Sequence, residues 1–599
     1  MLKTGAEIIA DHLIREGVTH LFGVSGHGNT ALLDAFVDRR QEIRVMQSIH
    51  EQGAAHMADA YYRVARQVAG VFTSIGPGAV NTAMGVANAY IDSIPLLLMT
   101  GSVHTYMRGH GVLQELERTH NANFPRMMEP VVKRWWQPSR VDELPFVMQR
   151  AFNVMLTGRP GPVLIDLPMD LQGERADVEP VNPLLRRPQG RVHGDPVMVE
   201  RAALKLAGAR RPMILAGGGV IAADASEALT RLAELVGAPV TVSWMGKGAM
   251  AEDHPLYAWP CGDIGSLMAN RLLSQADVVL VVGCRITDRI ASSFRHGITF
   301  RVPPTEIVHV DADPYEIGKN YPVEVGVVGD ARAVLEQMLE VLADRKPVDW
   351  RNGPVYAELQ ELRAKWNAQI DVMATSDARP MTISRALREA RRVLPRDGIV
   401  VTGAGNPQSQ VYNEFPVYGP RCHITSGGFS AMGFEVPGAI GVKLGAPDRA
   451  VLGIAGDGGF LQTAQELAMA AQYDIPVVVL ALNNGGWECI KNLQIQRFGP
   501  DRVIATTFTK PDGTLFAADL ATVARGLGCA AERVEDPAQL GDALTRAFRS
   551  GRPTVVEAMC ARSLPESGIA GSGWWDVVVP ATHPQARSQY EAARAEERL

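Results

Sequence analysis

The sequence predicts an α/β protein built from three doubly wound parallel-sheet domains, with a C-terminal tail. Three observations predict it. Short β-branched apolar runs alternate with longer amphipathic stretches along most of the chain, the pattern of parallel sheets covered by helices on both faces. Two Pro/Arg-rich passages, residues 179–196 and around 345–354, interrupt that alternation. The length, 599 residues, exceeds what one core supports, and at about 150–200 residues per domain three or four domains are expected.

Strands are expected at residues 69–74, 96–100, 163–167, 213–216, 278–282, 307–310, 399–402, 451–455 and 477–482. Helices are expected at 5–16, 50–63 and 381–393, among others. The two linkers then set domains at 1–180, 195–345 and 375–565, followed by a tail at 566–599. No short internal repeat is visible.

Composition narrows the function. Hydrophobic residues at 46% and charged residues at 21% describe an ordinary globular chain. The net charge of −6 and the lack of any Lys/Arg block speak against nucleic acid or an anionic membrane as partner. The apolar runs are too short to span a bilayer, and the opening residues carry no signal-type apolar stretch. The 6 cysteines are scattered, with no CxxC pair or zinc spacing, so reduced thiols in a cytoplasmic protein are expected.

The most specific local signal is Gly456-Asp457-Gly458-Gly459 followed by Asn483-Asn484. A buried strand ends at the glycine turn, whose backbone N–H groups can approach a phosphate, and a helix from about Gln462 presents its positive end. A second buried strand delivers Asn484. Mg2+ asks for near-octahedral oxygen ligands shared with ligand phosphates. Asp457, the Asn484 amide oxygen and one backbone carbonyl, taken as that of Gly486, supply the protein's share. Either motif alone is as well explained by a plain turn; the pair, each after a buried strand, points to a metal-bound diphosphate.

Four more segments accompany it: His50-Glu51-Gln52-Gly53-Ala54-Ala55-His56, Ser74-Ile75-Gly76-Pro77-Gly78-Ala79-Val80-Asn81, Gly403-Ala404-Gly405-Asn406-Pro407-Gln408 and Ser426-Gly427-Gly428-Phe429-Ser430-Ala431-Met432. With them the whole chain resembles the acetolactate-synthase-like superfamily of thiamine-diphosphate enzymes. The resemblance implies a pyrimidine-binding, a central Rossmann-like and a diphosphate-binding domain, with thiamine diphosphate and Mg2+ as cofactors. It also implies an active site between the pyrimidine domain of one subunit and the diphosphate domain of another. A homodimer is then the smallest active unit, and a homotetramer is common.

Within that resemblance Glu51 is the carboxylate that hydrogen-bonds the cofactor's pyrimidine N1′ and favours its imino form, assistance typically worth about 10²–10⁴-fold. Gly76 and Asn81 lie in an interface turn, and Gln114 lines the site. The Ser430 carbonyl accepts from the 4′-amine, and Met432 is the apolar wedge that bends the cofactor. Gly405, Asn406 and Gln408 occupy the phosphate turn, although Asn406 and Pro407 depart from the Gly-Gln-His-Gln of related synthases.

Other departures bear on the reaction. His27 replaces the small residue usual in acetolactate synthases, and its turn looks more like that of cyclic-dione hydrolases. Its ordinary pKa near about 6.5 suits proton transfer. Asn483-Asn484-Gly485-Gly486 resembles oxalyl-CoA decarboxylases and 2-hydroxyacyl-CoA lyases, and Glu488, opening the next helix, is expected to be a partly desolvated acid that shuttles protons. The tail, with Gly571-Ser572-Gly573-Trp574-Trp575, reads as a lid over the entrance or a strap between subunits. Glycine-rich turns at 216–219 and 283–289, with Asp311 and Asp313, suit FAD or ADP, or a groove that has lost its nucleotide. These features lead to a thiamine-dependent carbon–carbon lyase or ligase. The first expectation is a 2-hydroxyacyl-CoA lyase releasing formyl-CoA; an acetolactate-synthase-type 2-keto-acid ligase and a cyclic-dione hydrolase are the alternatives.

Overall fold

The structure is a computed structural model that describes residues 1–118, 120–562 and 573–598. Three six-stranded sheets, each wholly parallel, organise the chain. The first runs Arg44–Gln47, His20–Gly23, Gly70–Thr73, Leu97–Ser102, Val163–Pro168, Arg134–Trp136 across its width. The second runs Tyr257–Pro260, Val240–Val242, Pro212–Ala216, Val278–Val282, Glu306–Asp311, Val325–Val328. The third runs His423–Thr425, Ile399–Thr402, Val451–Gly456, Val478–Asn483, Thr554–Met559, Ala530–Val534. A separate antiparallel pair, Leu2–Thr4 with Arg175–Asp177, ties the two ends of the first domain.

Counting strands in chain order within each sheet, the first and third share the order 2-1-3-4-6-5, while the central one is 3-2-1-4-5-6. In open parallel sheets ligands bind at the carboxyl ends, where the strand order reverses. Those points fall after His20–Gly23 and Gly70–Thr73, after Pro212–Ala216 and Val278–Val282, and after Ile399–Thr402 and Val451–Gly456.

The outer domains share a core. The helix Glu51–Ala65 lies along the helix Glu435–Gly445, and Met57, Ala58, Tyr61, Val436 and Ile440 belong to one buried apolar cluster. The backbones approach closely enough that a β-carbon on Gly441 would meet the Met57 carbonyl. A shorter helix, Ala83–Ile91, seats Gly85 on Ala55 from the other side.

Each strand expected from the sequence is present. The diphosphate-side helix begins earlier than expected: Asp457–Thr463 starts at Asp457, not near Gln462, so the metal-ligand candidate is itself the first helical residue. The second linker leads directly into a 21-residue helix, Pro354–Ala374. Five cysteines are buried, Cys489 is half-buried, and no disulfide joins any of them among the described residues. Among the described residues no helix is long and apolar enough to cross a membrane.

The tail packs within its own chain. Trp574 lies under Arg497 (4.4 Å) and Arg295 (5.8 Å), and Trp575 under Arg289 (4.2 Å). Asp576 N–H donates to Ser293 Oγ (2.9 Å), and Arg295 pairs with Glu596 (2.5 Å). These contacts join the tail to the helix Glu488–Phe498 and to the central domain, with Trp575 on the cavity edge. The Gly571-Ser572 part of the expected hinge lies outside the described residues.

Gly441→Ala is expected to destabilise the protein by about 1–3 kcal/mol through overpacking at the helix crossing. A denaturation midpoint equal to wild type would show that the two helices part without cost.

Candidate functional site

Two groups of candidate residues form at the switch points of the outer sheets. In the diphosphate-side group, Asp457 is nearly buried and capped by backbone amides: Oδ1 accepts from Gly458 N (2.7 Å), and Oδ2 accepts from Asn484 N (3.2 Å), Gly485 N (2.6 Å) and Gly486 N (3.1 Å). Burial pushes its carboxyl above the ordinary aspartate range, and these four amides oppose the shift. Asn484 and Gly486, whose amides reach it, follow the strand Val478–Asn483 and line the same cavity. The oxygen donors present suit a hard divalent cation. A β-carbon on Gly458 would overlap the Trp487 indole, so the turn lies against an aromatic wall and requires glycine.

Across the switch point Gly405 (φ 102°) opens the helix Asn406–Glu414. Gln408 is buried and donates through Nε2 to Thr425 Oγ1 (2.7 Å), while Ser430 Oγ donates to its Oε1 (3.3 Å). Met432 is half-buried, its sulfur accepting from Gln462 Nε2 at 4.0 Å. One cavity of about 1420 Å³ takes in Gly405, Asn406, Gln408, Ser430, Met432, Gly456–Gly459, Asn484, Gly486 and Glu488. It continues past Gly218, Gly219, Gly283, Arg285 and Asp311 of the central domain, whose switch point thus opens onto the same space.

In the pyrimidine-side group Glu51 opens its helix and accepts from Asn81 Nδ2 (3.0 Å). Gly78 packs on the same carboxylate. Gly76 (φ 56°) lies against the Gln114 carbonyl, and Gln114 itself is at positive φ (65°). His27 is exposed in the neighbouring turn, where Gly28 N donates to Ser74 Oγ (3.2 Å). Glu51, Gly76, Asn81, Gln114 and His27 thus share one neighbourhood, and none of them lines the cavity around Asp457.

Glu488 does line that cavity, at the start of its helix. The expected lone, desolvated acid is instead one member of a charge cluster. Arg562 Nη2 and Nε donate to its Oε1 (2.8 and 3.0 Å), Lys491 lies at 3.3 Å, and Arg562 also donates to Thr507 (2.9 Å). Arg562 lies far along the chain, and nothing in the local pattern paired it with Glu488.

Sequence reasoning also missed Glu435. Its carboxyl is buried between Gly403 and Gly459, behind both phosphate-side turns, with Oε2 lacking a hydrogen-bond partner among the described residues. Burial pushes it up to about 8, opposed by its own and the Gly433 amide. An acid inside the apolar run Phe434-Glu435-Val436-Pro437 was the available signal.

Three sequence families match in order along the chain. They are the thiamine pyrophosphate enzyme N-terminal TPP binding domain (residues 3–122), central domain (199–338) and C-terminal TPP binding domain (403–558). A probable acetolactate synthase large subunit of Methanocaldococcus jannaschii is 34% identical over 94% of this chain and 93% of its own. The chain belongs to the acetolactate synthase family of thiamine-diphosphate enzymes. The acetolactate synthase of Arthrospira platensis is 35% identical over 87% of this chain and 88% of its own, and Escherichia coli isozyme 3 large subunit 33% over 82% and 84%. As a member of this family the protein uses thiamine diphosphate, and its two groups of residues fall in the two matched cofactor-binding domains.

Glu435 gives this family member a testable pH signature. Between about pH 4.5 and 8 the folded protein keeps a proton that the unfolded chain has released, so stability falls as pH rises through that window. Glu435→Gln, neutral throughout, should gain stability relative to wild type between pH 5 and pH 8.5, by on the order of 4 kcal/mol at most. Parallel denaturation profiles for the two proteins would assign the slope to another group.

Proposed function

We propose that the protein is a 2-keto-acid carboligase of acetolactate-synthase type, using thiamine diphosphate and Mg2+. The observation that carries this reading is the continuous likeness to relatives named acetolactate synthase across 82–94% of the chain. The 2-hydroxyacyl-CoA lyase expectation rested on Asn483–Gly486, Glu488 and a tail closing after a bulky substrate. The described part of the tail packs on its own chain at the cavity edge, and no relative described above is named for an acyl-CoA reaction.

Bound thiamine diphosphate would supply the nucleophilic thiazolium carbon and the electron sink that lets a bond beside a carbonyl break. The chain's own residues have narrower tasks. Asp457, Asn484 and Gly486 hold the cation; the amides of Gly458 and Gly459 and the Gly405–Gln408 turn hold phosphate oxygens. Glu51, which accepts from Asn81, would be the carboxylate that holds a proton for the bound cofactor's pyrimidine. Ser430 and Met432 set the cofactor's bend. Arg289, stacked on Trp575 at the cavity edge and paired with Asp263 (2.6 Å), would lie near a substrate carboxylate. Glu488, held by Arg562 and Lys491 in the cavity lining, would be the acid near the reacting centre, and Gln114 and His27 would close the pyrimidine side. In the central groove, a pyrophosphate-bearing nucleotide, FAD or ADP, would meet Gly218, Gly219 and Gly283.

Because the Glu51 group lies outside the Asp457 cavity, the working site is completed by a second copy. Apolar side chains exposed on the two sides, Val80, Met84 and Leu113 on one and Phe429, Leu461 and Ile490 on the other, suit that contact.

Purified protein with thiamine diphosphate and Mg2+ should release CO2 from pyruvate and form an acyloin product. Turnover of a 2-hydroxyacyl-CoA or a cyclic dione, with none of pyruvate, would overturn the reading. Glu51→Gln and Asp457→Asn should each be inactive, whereas refolding them together should restore about a quarter of wild-type activity, since half the dimers then hold one intact site. No recovery from correctly mixed dimers would mean that each chain closes its own site. Glu488→Gln should cut turnover by at least about tenfold while cofactor affinity holds; unchanged turnover removes Glu488 from the mechanism.

A further inference from the structure

The turn that carries Ser430 and Met432 is strained and is held from outside its own domain. It enters the left-handed region at Gly427 (φ 53°), Ser430 (φ 53°) and Gly433 (φ 78°). A non-glycine residue there is strained and persists only where its surroundings over-determine it. The diphosphate domain provides part of the hold: Ser430 N donates to Ser426 O (3.1 Å), and Thr463 Oγ1 to Gly433 O (2.8 Å).

The rest comes through Asp92, at the C-terminal end of the helix Ala83–Ile91. Its Oδ1 accepts from Gly428 N (2.8 Å), and its Oδ2 from Arg63 Nη2 (3.1 Å). Arg63 also donates to Thr425 O (2.9 Å) and to Asp59 (2.5 Å), which in turn accepts from Asn88 (2.9 Å). From the central domain Arg285 donates to Ile91 O (2.7 Å) and stands 3.9 Å from Asp92. The Asp92 side chain is fully buried, and a β-carbon on Gly427 would strike its carboxylate.

Desolvation largely offsets the attraction within such a buried ion pair, whose best-attested use is to fix one arrangement against others. We propose that Asp92, backed by Arg63, is a positioning residue for the cofactor. It fixes residues 426–433, and so the Ser430 carbonyl and the Met432 wedge, without touching the metal and phosphate cradle. This rests on the family's cofactor and the assigned roles of Ser430 and Met432, not on any substrate.

Two full-length variants test it. Asp92→Ala removes the carboxylate, and Gly427→Ala drives a β-carbon against it from the turn side, so each breaks the hold of Asp92 on residues 426–433. Thiamine diphosphate with Mg2+ is titrated calorimetrically, and the loaded protein is then followed by near-UV circular dichroism and by deuterium exchange at the thiazolium C2. Neither readout needs a substrate. The Kd should stay within about threefold of wild type. Exchange should slow by about 10²-fold, the cost of a displacement near 1 Å, and the cofactor's dichroism should change. Wild-type exchange in a folded variant overturns the proposal, as does affinity lost in step with exchange, which would mark Asp92 as general scaffold. Should Asp92→Ala not fold, Gly427→Ala alone decides.

Discussion

The contact on which the rest depends is the crossing of the helices Glu51–Ala65 and Glu435–Gly445. It merges the cores of the first and third domains, and the helix bearing Glu51 is held at both ends by groups from the diphosphate domain. At its start the Glu466 carboxylate accepts from Ile49 N (3.2 Å) and His50 N (2.8 Å). At its end Arg63 reaches the Thr425 carbonyl. With the helix pinned this way, Glu51 turns its carboxylate toward Asn81 and Gly78 and away from the cavity around Asp457. The packing that fixes this helix is thus the physical reason for proposing that a second copy completes the site.

Topology then explains where chemistry gathers. Each sheet reverses its strand order beside its first strand in the chain, and the carboxyl ends there leave a crevice suited to ligands. The glycine-rich turns follow those strands: Gly76 and Gly78 in the first sheet, Gly217–Gly219 and Gly283 in the second, Gly403–Gly405 and Gly456–Gly459 in the third. Any side chain at Gly217 or Gly283 would meet the opposing turn's backbone. Glycine at these points is thus a consequence of two turns sharing one crevice.

Much of this was legible because central strands of parallel sheets are buried on both faces and read as unbroken apolar runs. Val278–Val282 and Val451–Gly456 announce themselves; Arg134–Trp136 and His423–Thr425 do not, being three-residue edge strands with polar members. The helix start at Asp457 was misplaced because the glycines of its first turn read as loop. Motif residues were found where spacing along the chain carries the chemistry, as in Asp457 and Asn484. What pattern cannot convey is pairing between distant segments, which is why the Arg562 partner of Glu488 and the Asp92 hold on Gly428 became visible only in three dimensions.

Burial raises both Asp457 and Glu435 in the diphosphate domain, but the fold provides for the two acids differently. Asp457 loses water but gains four backbone N–H donors, which support the ionised carboxylate that a divalent cation needs. Glu435 loses water between two glycines and forms no ion pair among the described residues, so burial favours its neutral form well past neutrality. A second anion there would sit directly behind the turns offered to a polyanionic diphosphate. Charge is thus kept where a metal would neutralise it and suppressed where only phosphate would feel it, on two sides of one crevice.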